Sequence, residues 1–95
     1  GIKNINTQEL KHQLTKKNTQ FIDVRTANEF RGNHIKGFIN IPLSDLQKRA
    51  PELSKHQEVV VICQSGMRSS KASKVLKQLG YTNITNVQGG MSAWR

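Results

Sequence analysis

One cysteine stands in a chain of 95 residues, and its neighbours suit a nucleophile. Cys63 closes the apolar run Val59-Val60-Val61-Ile62 and opens the stretch Gln64-Ser65-Gly66-Met67-Arg68-Ser69-Ser70. Four apolar residues in succession, three of them Val, read as a strand buried on both faces. Ala72, Val75, Leu76 and Leu79 then recur at the spacing of one helical face, and Gly80 supplies a left-handed stop. Strand, short loop and helix in that order turn backbone N–H groups and the positive end of the helix toward one point. A thiol there ionises readily, and the thiolate is the reactive form of cysteine. The bland alternative is a small apolar residue finishing a core strand, since free cysteines are often that. Position favours the nucleophile: in open α/β sheets ligands bind just beyond the carboxyl ends of strands.

The elements that must position this cysteine follow from the rest of the chain. Asn6-Thr7-Gln8-Glu9 has the form of a capping box, with Ile5 and Leu10 placed as a hydrophobic staple, and predicts a short helix carrying Leu10 and Leu14 to about Lys17. Thr19 to Val24 predicts a strand whose polar end, Asp23 and Arg25, leads into a second capping box, Thr26 to Glu29. One helical turn with Phe30 inward follows, stopped at Gly32-Asn33 because both residue types tolerate positive φ. Phe38 to Ile41 is a short strand ended by Pro42, and a helix begins at Ser44-Asp45-Leu46-Gln47 until Pro51 interrupts it. The helix after Cys63 is expected from Ser69 or Ser70 to Leu79, a last strand at Ile84–Val87, and a terminal turn at Met91–Trp94. Strands alternate with helices throughout. That order predicts an α/β fold with a mainly parallel central sheet and helices on both faces.

Composition narrows the function classes. The length suits a single domain over residues 1–95 with an adequate but modest core. A hydrophobic share of 35% and a mean hydropathy of −0.59 fit a soluble globular protein. No apolar run approaches the roughly 20 residues that span a bilayer, and no signal-peptide pattern is present. One cysteine excludes an intramolecular disulfide and agrees with a reducing compartment, hence a cytoplasmic location. The ends at Gly1 and at Arg95, directly after Trp94, suit a trimmed chain or one domain of something larger. A net charge of +9 draws in anions. Nucleic acid is not the expected partner, because the longest basic runs are the pairs Lys16-Lys17 and Lys48-Arg49 and the few aromatic residues are not interleaved with them. No Cys/His cluster has the spacing of a metal site, and no cofactor is implied.

Taken together, several stretches resemble the rhodanese family. Asp23-Val24-Arg25, Glu29-Phe30, His34-Ile35-Lys36-Gly37 and Asn40-Ile41-Pro42 are similar to its first pattern, Cys63 to Ser69 resembles its active-site loop, and Gly80-Tyr81 and Gln88-Gly89-Gly90-Met91 through Trp94 are similar to its closing pattern. The resemblance covers nearly the whole chain in order. It implies a sulfurtransferase in which Cys63 takes a sulfane sulfur from thiosulfate or a persulfide donor, holds it as Cys63–S–S⁻, and passes it to a thiol, a partner protein or cyanide. Gln64, Ser65, Gly66, Met67, Arg68 and Ser69 would then form the ring of N–H donors around the anionic outer sulfur. Rhodanese-like chains also include binding modules without catalysis, and a noncatalytic interaction or sensing module is the alternative. Retention of Cys63 in a complete loop weighs against it.

The supporting side chains have two readings each. Arg68 either faces a substrate anion or ties the loop to Asp23 or Glu29, and the second is preferred. Arg25 is expected in a buried pair with Glu29 rather than on substrate, and Asp23 in fixing loops. His34 is expected as a packed, hydrogen-bonded histidine, since persulfide transfer needs no base once the thiol is ionised; His12 and His56 read as surface residues. The pattern departs from the family at Asn33, where Gly is usual, at Phe38, where a small residue is usual, and at Gln64, where several thiosulfate users carry Arg or Lys. The last departure weighs against thiosulfate as the physiological donor. A tyrosine-type phosphatase would need Cys-x5-Arg, whereas Cys63 and Arg68 are spaced Cys-x4-Arg, a smaller ring better fitted to one sulfur than to a phosphoryl group.

Overall fold

A computed structural model describes all of residues 1–95. Five strands, β1 (Lys3–Ile5), β2 (Thr19–Asp23), β3 (Ile39–Asn40), β4 (Glu58–Ile62) and β5 (Ile84–Val87), form one sheet in the order β1-β5-β4-β2-β3. Every pairing is parallel. The helices are α1 (Thr7–Gln13), α2 (Ala27–Gly32), α3 (Leu46–Arg49), α4 (Met67–Gln78) and α5 (Gly90–Ala93). Short 3-10 turns at Leu43–Asp45 and Ala50–Glu52 flank α3. Pro51 lies in the first turn of the second of these, where its missing N–H costs nothing.

The expected four-residue apolar run is the centre of the sheet. Val59, Val60, Val61 and Ile62 have no accessible surface, and burial of each such side chain contributes about 1.5–3 kcal/mol. Alternation along β4 sends Val59, Val61 and Cys63 into a cluster with Ala72 and Leu76 of α4 and Leu46 of α3. Val60 and Ile62 point the other way, into a cluster with Leu10 of α1 and Met91 of α5. The two clusters are the two covered faces that a parallel sheet requires.

Topology places the crevice. From β2 the chain proceeds outward to β3, and from β4 it proceeds in the opposite direction to β5. The loops leaving β2 and β4 therefore diverge, and the gap between their carboxyl ends is a switch point where α/β sheets bind ligands. Asp23 and Cys63 stand at those two ends.

Local differences from the sequence expectations have physical causes. β1 was not expected: Lys3 and Asn4 are exposed and polar, and only pairing with β5 makes the segment a strand. Both capping boxes form, Asn6 with Glu9 and Thr26 with Glu29. α2 does end at Gly32, but not through a left-handed residue, since Asn33 is extended at φ −171° and its N–H bonds to the Glu29 carbonyl. α4 starts at Met67, ahead of the expected Ser69 or Ser70, because Gly66 at φ +109° turns the chain sharply into the helix. Gly80 adopts φ +98° after α4, as its stop position requires.

Candidate active site

Cys63 lies one residue beyond β4, with no accessible surface. The Gly66 N–H donates to its Sγ at 3.0 Å, and Sγ lies 3.4 Å from the Ser69 hydroxyl. Ser69 is buried; its hydroxyl oxygen accepts from the Cys63 thiol and its O–H donates to the Gly66 carbonyl at 3.2 Å, so loop and helix are fastened at the sulfur. Burial opposes ionisation of the thiol and is the largest single influence on it. The Ser69 hydroxyl and the N–H groups of Ser69, Gly66 and Ser65 together outweigh that burial and hold Cys63 below the ordinary 9.0. Of the loop N–H groups from Gln64 to Ser69, those of Ser65, Gly66 and Ser69 act on the sulfur. The thiol is covered, although Met67 beside it is 75% exposed.

The loop is held from behind by α5. The N–H groups of Met91 and Ser92 donate to the carbonyls of Cys63 at 2.8 Å and Gln64 at 2.9 Å. Gly90 makes the approach possible. A Cβ there would lie 2.3 Å from the Cys63 carbonyl oxygen and 2.7 Å from the Gln64 carbonyl. With both carbonyls drawn backward, the N–H groups on the other side of the loop are free to face the sulfur. Sequence reading matched Gly89-Gly90 as a pattern but missed this support, which no side chain reports.

The charged residues sort into two braces. Arg68 donates from both terminal nitrogens to Glu29, at 2.6 and 3.0 Å, so the reading in which it ties the loop to an acidic residue holds in this structure. Arg68, with smaller help from the Thr26 N–H and hydroxyl, lowers Glu29 from 4.5 to about 2. Arg25 does not pair with Glu29. It is buried against Asp23, with Nε at 3.0 Å and Nη2 at 2.8 Å from the carboxylate, and Nη2 also donates to the Asn33 carbonyl at 2.6 Å. Glu29 is taken by Arg68 and by its own capping box, whereas Asp23, two residues away, already accepts the Arg25 N–H. Removing either member of so buried a pair costs about 3–5 kcal/mol. Asp23 thus holds Arg25, whose guanidinium in turn binds the Asn33 carbonyl.

The remaining candidates are placed as follows. The Gln64 side chain accepts from Arg25 Nη1 at 3.3 Å and donates to the Ser92 hydroxyl at 3.1 Å, which connects the loop to the Arg25–Asp23 brace and to α5. Ser65 is exposed and its N–H faces the sulfur. His34 is exposed rather than packed; its ring stacks on Phe30 at 3.8 Å and its Nδ1 lies 2.9 Å from the Phe30 carbonyl. Asn40, quoted from the sequence only within the Asn40-Ile41-Pro42 pattern and given no role, donates to the carbonyls of Asp23 and Arg25 at 2.9 Å each and pins the loop after β2. No group of three or more His, Cys, Asp or Glu side chains converges as metal ligands would. No helix is long and apolar enough to cross a membrane.

This loop and sheet are shared with known proteins. A rhodanese-like domain model matches residues 6–95, and the chain belongs to that family. It is 45% identical over 75 residues to the uncharacterized protein YqhL of Bacillus subtilis, a match covering 79% of this chain and 60% of YqhL. It is 35% identical over 71 residues to thiosulfate sulfurtransferase PspE of Escherichia coli, covering 73% of this chain and 68% of PspE. The crystal structure of a rhodanese-like domain protein from Staphylococcus aureus superposes with a TM-score of 0.90 at 34% identity, over 98% of this chain and 91% of that one. Two relatives, from Shewanella oneidensis and Escherichia coli, are named thiosulfate sulfurtransferases, and a human structural neighbour is titled a single-domain sulfurtransferase.

Proposed function

We propose that this chain works as a single rhodanese-like domain that transfers sulfane sulfur through Cys63. The observation that carries the reading is the thiol itself, at the foot of a loop whose N–H groups and Ser69 hydroxyl overcome its burial and favour the thiolate. The Cys63 thiolate attacks the outer sulfur of thiosulfate, or of a persulfide donor. A new S–S bond forms at Sγ, the donor's S–S bond breaks, and sulfite or the donor thiolate leaves with the electron pair. The Cys63–S–S⁻ so formed carries its charge on the outer sulfur, roughly 2 Å beyond Sγ. Donors fixed in advance by the fold stabilise that charge without reorganisation. An acceptor thiolate or cyanide then attacks the outer sulfur, and Cys63 departs as thiolate. No side chain needs to move a proton, which is why the exposed position of His34 is no obstacle.

The same geometry disfavours phosphatase chemistry, since Arg68, the side chain that would bind phosphoryl oxygens, is committed to Glu29. The basic surface of a +9 chain suits an anionic donor, or an acidic face on a protein acceptor. A reducing compartment such as the cytoplasm would keep the cycle from ending in oxidation of Cys63. The test is intact mass after incubation with thiosulfate. An adduct of about 32 Da, removed by cyanide and absent in Cys63→Ser, is the expected result. A Cys63→Ser protein that is folded by circular dichroism and still forms thiocyanate at more than about a tenth of the wild-type rate would overturn the assignment.

A further inference from the structure

At the end of the sheet opposite Cys63 lies a cleft of about 460 Å³. Ser54, Lys55 and His56, on the approach to β4, line one side of it, and Leu79 and Tyr81, where the chain leaves α4, line another. Between the cleft and the cysteine runs the length of α4, roughly 18 Å, so the two sites are separate. The fold fixes the walls. The Tyr81 hydroxyl donates to the carbonyls of Ala50 at 2.6 Å and Leu53 at 3.1 Å, which pins the 3-10 turn after α3 to the ring. Gln20 grips Ser54 twice, accepting its N–H at 2.7 Å and donating to its carbonyl at 2.9 Å. A preformed cleft of this size is the usual shape of a small-molecule site.

The lining says what such a molecule must be. Ala50, Pro51, Leu53 and Leu79 make an apolar floor. The rim carries Lys55 and His56 and no carboxylate. Lys55 is held in place, with its Nζ 5.4 Å from the centre of the Tyr81 ring. Gly80 makes room for it, since a Cβ there would lie 3.3 Å from the same nitrogen. No ion pair of the structure includes Lys55. The acids closest in sequence are committed elsewhere, Glu52 to Arg49 and Glu58 to Lys16. The end of α4 does not supply an acceptor in their place. Its carbonyls at Val75, Leu76 and Lys77 are already bonded by the N–H groups of Leu79, Tyr81 and Gly80. One unbalanced cation above an apolar floor suits a single negative charge on an apolar body. Sulfate or thiosulfate has no apolar part to cover the floor, and a second charge would go unmatched.

We infer that this cleft binds a small carboxylic acid with an apolar body, its carboxylate on Lys55 Nζ and its body between Leu53 and Leu79. The Ser54 hydroxyl accepts from the His56 N–H at 3.1 Å and keeps its own O–H free for the second carboxylate oxygen. The site stands apart from the sulfur transfer proposed above, and failure of that reaction would leave it untouched.

The test is a titration of ¹⁵N-labelled protein with naphthaleneacetate and with naphthaleneacetamide, which share one apolar body and differ in charge. Naphthaleneacetate should give saturable shifts centred on the backbone N–H groups of Ser54, Lys55, Gly80 and Tyr81. Its Kd in low salt should be about fivefold below that of the amide, the size of one partly exposed charge pair. In Lys55→Met, a change at an exposed position, the two values should come within about twofold. Equal affinities in wild type, or an undiminished preference in the variant, overturn the inference. Shifts spread over the exposed lysines also overturn it, since they would report an anion gathered by the +9 charge alone. Acetyl-Leu-Phe with a free carboxylate is the third probe. If it binds the same residues about tenfold more tightly than naphthaleneacetate, the cleft seats the end of a partner chain, and the small-acid assignment falls. The comparison within wild type decides the matter if the variant does not fold.

Discussion

Replacing Arg68 by Met keeps most of its length and its helix-forming character while removing the guanidinium that holds Glu29. Glu29 sits at about 2 against an ordinary 4.5. At about 1.36 kcal/mol per pKa unit the gap is worth about 3.4 kcal/mol in favour of the charged carboxylate. That value is a ceiling. The two side chains are 35% and 33% exposed, so water screens the pair, and part of the effect belongs to Thr26, which the substitution leaves alone. Discounted for both, the loss expected at pH 7 is about 1–1.5 kcal/mol. The sign of the pH dependence is fixed. A carboxyl group whose folded pKa is depressed adds stability above its unfolded value, near 4.5, and loses it as pH falls toward about 2. Urea unfolding of both proteins at pH 7, 5 and 3 should show the deficit intact at 7, nearly intact at 5 and much reduced at 3. A deficit as large at pH 3 as at pH 7 would mean that Arg68 acts by packing. A variant as stable as wild type at pH 7 but with a tenfold lower kcat/KM for thiosulfate would mean that Arg68 reads the substrate, and the bracing role would be wrong.

Three further outcomes are expected. Ser69→Ala removes the side-chain hydrogen bond that most favours the Cys63 thiolate, so the midpoint of the iodoacetamide rate against pH should rise toward 9.0; an unmoved midpoint would show that the backbone N–H groups suffice alone. Gly90→Ala places a methyl group 2.3 Å from the Cys63 carbonyl oxygen and should cost more than about 2 kcal/mol in thermal or urea unfolding, whereas a melting temperature within a degree or two of wild type would disprove the close approach. Arg25→Met leaves the Asp23 carboxylate buried without its cation and should destabilise by about 3–5 kcal/mol, a loss that Asp23→Asn in the same chain should partly restore.

The sheet was legible because its signals are local and strong. Val59 to Ile62 can only be a strand with two covered faces, and the period of Ala72, Val75, Leu76 and Leu79 fixes the helix behind it. The position of Cys63 was legible for the same reason, since its place just past the end of that strand follows from chain order. What escaped was pairing at a distance. β1 is a strand only because β5 lies beside it, and nothing in Lys3-Asn4-Ile5 says so. The partner of Arg25 was misassigned because Glu29 and Asp23 are both near in sequence, and only the path of the loop through Asn33 and Asn40 brings the guanidinium to Asp23. The coverage of the thiol and the fastening of its loop by Met91 and Ser92 involve backbone atoms, which residue identity does not encode except through the vacancy at Gly90.

That fastening sets an order of events during synthesis. All five strands exist once Val87 has left the ribosome, and by then Cys63, Gly66 and Ser69 are long since made. Yet the carbonyls of Cys63 and Gln64 find their donors only in Met91 and Ser92. A nascent chain halted before α5 would therefore leave those two carbonyls without these donors. The backbone behind Cys63 is thus completed by the last helical turn of the chain, which also adds Met91 to the core on the other face of the sheet.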